Sequence, residues 1–296
     1  MHQQQEESSS RGKAEGIWIR YRSRTISIGR HTVVIALLVC LYVALAGCEN
    51  ISPFFSFKAP GTPTKKFTTL PPGSPLPSER ECTSRIRYSS FEPRPDNYTA
   101  NHQVPTAQQI ANLAPWDASI SLNPKADSLR QHITGNFTGT TDEILQWVAC
   151  KWGIDEDIVR AQAVAESTWY QSNAGDYTSD QSLCPPGTWN GSGCYQSYGI
   201  LQIKYIYSAS SWPMSRDDTA FSAEYAYGII RTCYEGWANY LSQRTPMPGY
   251  HAYQAGDIWG CVGRWFSGSW YDQAAIDYIN KVQIDYASKD WLEPGF

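Results

Sequence analysis

The chain lacks an apolar run of the roughly 20 residues that a comfortable membrane span needs. It also lacks an excess of basic charge, with 24 Lys and Arg against 28 Asp and Glu. That balance argues against a nucleic-acid partner, because phosphates are held by clustered cations. Only five His are present, scattered along the chain, and no Cys-x-x-Cys spacing occurs. Neither a zinc centre nor any other metal or cofactor is expected. Internal repeats and strand-rich segments are missing too, which leaves a mainly α fold as the expectation.

What is present at the N-terminus points outward. Residues 1–31 are polar and carry Arg11, Lys13, Arg20, Arg22, Arg24 and Arg30, and an uncharged apolar stretch then runs from Thr32 to Gly47. A basic segment followed by a short apolar one has the form of a secretory signal. It ends in Leu45-Ala46-Gly47-Cys48, which resembles the lipobox of bacterial lipoproteins. That resemblance implies lipidation of Cys48 and tethering to a membrane; an uncleaved anchor over 1–47 is the alternative. Both place the bulk of the protein outside the cytoplasm, at the extracytoplasmic face of the cell envelope. Without residues 1–47, six of the 24 Lys and Arg and three of the 28 Asp and Glu are gone, and the formal charge is −7.

Export changes how the cysteines are read. Beyond Cys40 and Cys48 an even set remains: Cys82, Cys150, Cys184, Cys194, Cys233 and Cys261. Three disulfides are expected in an oxidising compartment. The turn-rich loop Pro185-Pro186-Gly187-Thr188-Trp189-Asn190-Gly191-Ser192-Gly193 is one that a Cys184–Cys194 bridge closes naturally. The other four cysteines allow three connectivities.

Residues 48–78 are rich in Pro, Thr, Ser and Gly and read as a flexible tether. Residues 79–139 show little periodicity and read as an irregular segment wrapping the domain that follows. Helical patterning begins after Gly139. Thr140-Thr141-Asp142-Glu143 forms a helix start, and Ile144, Trp147 and Val148 give one apolar face, with an end near Gly153. A second helix starts around Asp155. A long one is expected from Thr219 to Leu241, and a last one from Asp272 to Ala287.

Glu166 lies near the end of the second helix, on a stripe with Val159, Ala163 and Tyr170. Burial disfavours the charged form of a carboxyl aimed inward and raises its pKa, as a general acid requires. A structural Glu held by a buried hydrogen bond presents the same pattern. The residues that follow separate the two readings. Glu166-Ser167 is succeeded, across the cysteine loop, by Gly199-Ile200-Leu201-Gln202, then by Trp265-Phe266-Ser267-Gly268, and then by Tyr278-Ile279-Asn280-Lys281-Val282. This order resembles the lytic transglycosylases with a lysozyme-like (soluble lytic transglycosylase or goose-type lysozyme-like) catalytic domain. In that family a Glu-Ser pair precedes Gly-Leu-Met-Gln, then Ala-Tyr-Asn-x-Gly, then a helix of Tyr-Val-x-x-Val character. The resemblance spans roughly residues 140–290. Two departures stand out: Phe266 and Ser267 replace the Tyr and Asn of the third motif, and the Cys184–Cys194 loop lengthens the interval between the first two.

The resemblance implies a single lysozyme-like catalytic domain over 140–296, acting on peptidoglycan glycan strands as a monomer. Glu166 protonates the glycosidic oxygen of the β-1,4 bond between N-acetylmuramic acid and N-acetylglucosamine. Deprotonated, it then assists attack by the muramyl 6-hydroxyl, giving a 1,6-anhydro end. It also implies that Ser167 helps orient Glu166, that Tyr278 hydrogen-bonds the carboxylate, and that Gly199, Ile200, Leu201 and Gln202 line the sugar site. Trp265, Phe266, Ser267 and Trp270 are candidates for sugar contacts, Trp265 and Trp270 as ring platforms. Asp176, Asp180, Asp257 and Asp272 read as loop or helix-cap residues; one of them facing Glu166 would favour a hydrolytic muramidase instead. A non-catalytic peptidoglycan-binding relative is the remaining alternative.

Overall fold

Helix formation in this protein follows its capping residues closely. The computed structural model describes residues 65–116 and 124–296, all within one compact unit; the signal segment, Cys48 and the start of the tether lie outside them. Short helices come first: α1 (Glu79–Ser84), α2 (Tyr98–Asn101), α3 (Ala107–Ala111) and α4 (Lys125–Arg130). None exceeds six residues, under two turns, which is why residues 79–139 show no periodicity although they carry helices. They are held by tertiary contacts: Cys82 is bridged to Cys150, and Phe137 stacks on Trp147 with ring centroids 5.5 Å apart.

The longer helices form the frame. Helix α5 (Thr141–Trp152) opens with a capping box, Thr140 and Glu143 each satisfying the other's backbone N–H. Helix α6 (Glu156–Ser167) is capped by Asp155, whose side chain accepts from the amides of Asp157 and Ile158. Three two-residue strands follow, β1 (Ala174–Gly175), β2 (Ser197–Tyr198) and β3 (Ile203–Lys204), in an antiparallel sheet of that order, with Gly175 opposite Ser197 and Tyr198 opposite Ile203. After α7 (Met214–Asp217) comes α8 (Thr219–Tyr234), buried along its whole length. Helices α9 (Ile258–Ser267) and α10 (Gln273–Ser288) close the domain. Helix α8 packs on α5 and α9, while α10 packs on α9 and α6.

Three expectations need correction. Helix α8 stops at Tyr234 rather than near Leu241, because Gly236 takes φ +80° and the Trp237 amide turns back to the Thr232 carbonyl (3.1 Å). The motif Trp265-Phe266-Ser267-Gly268, for which no element was expected, is the end and cap of a helix, Ile258–Ser267. Most notably, residues 65–78 do not behave as tether: Phe67 is buried and its amide donates to Glu156 (3.1 Å), and Leu70 donates to the Gly153 carbonyl (2.9 Å). The buried Arg231 guanidinium donates to the Leu70 and Pro71 carbonyls (3.1 and 3.0 Å). A Pro-rich segment whose one internal backbone hydrogen bond runs from Ser74 to the Pro71 carbonyl (3.2 Å) thus has other backbone groups satisfied by the domain.

The cysteines form Cys82–Cys150, Cys184–Cys194 and Cys233–Cys261. The local pairing agrees with the sequence reading, and the structure selects one of the three remaining connectivities. Among the described residues, no helix is long and apolar enough to cross a membrane.

Candidate active site

Glu166 sits at the last-but-one position of α6, where the chain reverses abruptly. Thr168 caps the helix in a left-handed conformation (φ 51°), and Trp169 follows at φ 66°. Trp169 is buried with its indole N–H donating to the Arg160 carbonyl (3.0 Å), which anchors the reversal. Tyr170 therefore leaves the stripe on which periodicity places it and is 39% exposed.

The carboxyl of Glu166 receives a hydrogen bond from the Tyr278 hydroxyl of α10 at 2.5 Å. This is the partner the motif order implied. Lys281, one turn farther along α10, donates to the Ala165 carbonyl (2.5 Å) and brings its ammonium near the same carboxyl. Below them, Gln162 lies one turn before Glu166 on α6 and accepts from the Tyr227 hydroxyl (2.7 Å); both side chains are fully buried. The acid is thus seated on a polar network inside an apolar frame.

Burial pushes the Glu166 carboxyl up from an ordinary 4.5 to about 7. The Tyr278 hydrogen bond, the Lys281 charge and the Trp265 N–H pull it down, and the Asp176 carboxylate adds to the rise. Desolvation wins, although the residue keeps an edge in solvent. A carboxyl about half protonated at neutral pH is suited to give and retake a proton. Tyr278 is itself pushed well above its usual 10 by burial and by Glu166, so it stays a donor.

Tyr278→Phe removes one of the downward influences while keeping the ring. Its expected effect is an alkaline limb of the pH–rate profile shifted to higher pH, with kcat lowered about tenfold, the worth of one hydrogen bond of about 1.4 kcal/mol. An unshifted limb in that profile would separate Tyr278 from the catalytic carboxyl.

Ser167 plays a different part from the one expected. Its hydroxyl donates to the Ala163 and Ile200 carbonyls (3.2 and 2.9 Å), so it fastens the second motif to the end of α6 rather than touching the acid. Ile200 and Leu201 are core residues, and the Ile200 amide donates to Gln171 (2.9 Å). Gly199 takes φ +84°, and a Cβ there would stand 2.3 Å from the Ser215 carbonyl oxygen, so glycine is required by the turn. Gln202 spends its amide on the Asn173 and Gly199 carbonyls (3.1 and 2.9 Å). The motif thus braces the chain beside Glu166, with Ile200 and Leu201 in the core and Gln202 partly exposed.

The third motif divides similarly. Trp265 donates to the Leu201 carbonyl (3.2 Å) and lies close to Glu166. Phe266 is 60% exposed and stacks on Tyr278, with centroids 4.8 Å apart and planes inclined by only 5°. It offers a ring face next to the acid. Ser267 closes a local turn with Ser269, and Trp270 is wholly buried, so Trp270 is not the ring platform expected of it. Asp257 and Asp272 cap α9 and α10, and Asp180 caps a short turn, as the sequence implied. Asp176 differs. It follows β1 at φ 55°, accepts from the Ser197 hydroxyl (2.5 Å), pairs with Lys204 (3.1 Å), and interacts electrostatically with Glu166.

Sequence reasoning missed Gln162, Tyr227, Lys281 and the proximity of Asp176. Gln162 was accessible, being one helical turn before Glu166; the others depend on which helices meet. Among the described residues no cluster of His, Cys, Asp or Glu is arranged to hold a metal. Two cavities, of about 410 and 280 Å³, lie elsewhere, and Glu166 lines neither. No protein-family model matches the chain, and neither a curated protein nor a solved structure matches it.

Proposed function

We propose that this protein is a peptidoglycan lytic transglycosylase with a lysozyme-like catalytic domain, exported and tethered at the cell envelope through Cys48. The observation that carries the reading is Glu166: one carboxyl, lifted to about 7 by burial, bonded by Tyr278 and flanked by the exposed ring of Phe266. Three disulfides agree with an oxidising compartment. In the reaction, Glu166 protonates the glycosidic oxygen as the bond breaks, and the ring of Phe266 packs against a sugar face. The ionised Glu166 then takes the proton of the muramyl 6-hydroxyl as that oxygen closes on the anomeric carbon. Lys281 and Tyr278 steady the carboxylate between the two steps. The nucleophile is part of the substrate, and its effective concentration replaces that of water.

A muramidase reaction is the second reading, and Asp176 favours it. Its pKa is lowered, by Ser197 and Lys204 against the opposing effect of burial, so it is ionised where Glu166 is half protonated. Two carboxyls with pKa values driven apart form the acid and base pattern of hydrolysis. Mass spectrometry of digested peptidoglycan distinguishes the two. The transglycosylase reading expects 1,6-anhydro ends, lighter by one water, with Asp176→Asn retaining activity within about threefold. Reducing ends that vanish in Asp176→Asn would replace it with the muramidase.

A further inference from the structure

We propose that the 410 Å³ cavity between α2, α3 and α7 binds a primary ammonium group, carried by the peptide branch of the polymer whose glycan chain Glu166 cleaves. Asp218 forms part of its wall and is only 1% exposed. One of its carboxylate oxygens caps α8, accepting from the Phe221 amide (2.7 Å); the other, Oδ2, is buried with no hydrogen-bond partner. A buried acceptor left empty is destabilising, and a bound donor removes that penalty. Burial, with added repulsion from Glu224 and Asp217, lifts Asp218 to about 8 despite the Phe221 amide. A cation at Oδ2 restores its charged form.

The sign of the ligand follows from the lining. Among the charged groups on its walls Asp217 and Arg216 offset one another, which leaves Asp96, and Asp218 once a cation ionises it, without a partner of opposite sign on the wall. The Arg216 guanidinium is already occupied, bonded to Asp217 (2.6 and 2.9 Å) and lying over the Trp212 ring at 4.5 Å. The excess of negative charge selects a cation. A bare metal ion does not fit, since no such ligand set exists among the described residues. An ammonium group, with three donors and no need of a fixed polyhedron, does. Thr99, Gln103 and Ser172 add hydroxyl and amide groups to the walls, suited to a ligand with peptide bonds.

The cavity also shares a wall with the site. Gln171 lines it, donates to the Ser215 and Arg216 carbonyls (3.1 and 3.0 Å), and accepts from the Ile200 amide in the second motif. The carbonyl of that same Ile200 holds Ser167, the neighbour of Glu166. A branch leaving a sugar near Glu166 has this wall to follow. The assignment to a peptide branch rests on the peptidoglycan reading, whereas the preference for an amine rests on the cavity alone.

Calorimetry on the full-length protein tests it. The probes are a soluble disaccharide-tetrapeptide with a free side-chain amine, the same compound acetylated at that amine, and a glucosamine oligomer. The wild type should bind the free amine at least tenfold more tightly than the acetylated form. Asp218→Asn, which preserves the helix cap, should abolish the preference, as should Thr99→Trp placed at the exposed mouth. Glu166→Gln should keep it. Equal binding of the two peptides by the wild type, or an intact preference in both cavity variants, would overturn the site. Tighter binding of the glucosamine oligomer would overturn the peptide branch. Failure of the protein to cleave peptidoglycan, with the preference retained, would count against the glycan reading and leave the amine site standing.

Discussion

Glu166→Gln protein is expected to lose about a thousandfold of its peptidoglycan-cleaving rate while becoming more stable above neutral pH. On the proposed reading the rate loss follows from removing the proton donor at the reacting bond, which typically contributes 10²- to 10⁴-fold. The gain in stability has a separate origin. The folded-state pKa of Glu166 lies at about 7, above its ordinary 4.5. Below the unfolded value both states hold the proton, and ionisation contributes no difference. As the pH rises through the folded pKa, the native protein must bury a charge that the unfolded chain carries at no penalty, and stability falls. The shift corresponds to about 2 to 3 kcal/mol, allowing for the solvent-facing edge of the carboxyl. Gln has the same shape, still accepts from Tyr278, and does not ionise. Its melting temperature should therefore exceed that of the wild type at pH 8 and match it near pH 4. In the wild type, activity should fall as pH rises through about 7, where the acid loses its proton. Undiminished peptidoglycan clearance by the variant would remove the catalytic assignment, and equal melts at pH 8 would remove the account of how burial sets the pKa.

The inward position of Glu166 could be read from the sequence while its surroundings could not. A carboxyl at helical spacing with Val159 and Ala163 is visible from residues alone, and the caps at Thr140, Asp155 and Asp272 mark three helices correctly. These are local effects, set by backbone groups within one turn. Tyr278 was reachable only through the order of motifs, because 112 residues separate it from its partner. Lys281, Tyr227 and Asp176 depend on how α10, α8 and the small sheet pack around α6, and no periodicity encodes that. The bracing contacts of the second motif were hidden for a related reason: Gly199 and Gln202 look the same in sequence whether they face a ligand or brace a turn. The close approach of Ser215 to Gly199 and the internal bonds of Gln202 decide for the brace. Residues 65–78 have a tether's composition, yet the hydrogen bonds that fix them come from Arg231, Glu156 and Gly153, far along the chain.

Replacing Cys82 and Cys150 together by alanine should have the largest effect on stability of any single disulfide removal. This bridge spans 68 residues, against 28 for Cys233–Cys261 and 10 for Cys184–Cys194. In the chain-entropy account, a closed loop of that length restricts the unfolded state by roughly 4 kcal/mol, and the shortest by about 3. Packing widens the gap. Cys82 and Cys150 are both buried, so alanine leaves voids, whereas Cys184 is partly exposed on its loop. Helix α1 has six residues and cannot persist alone; its bridge to α5 is what keeps it in place. A domain of this size should then melt roughly 10 °C lower by circular dichroism. The Cys184→Ala/Cys194→Ala protein should melt closer to the wild type, since its loop lies at the surface. A reversed order would show that the surface loop, rather than the stapling of α1 to α5, governs unfolding. A Cys82→Ala/Cys150→Ala protein melting with the wild type would go further, leaving the fold independent of the oxidising compartment that the proposed export supplies.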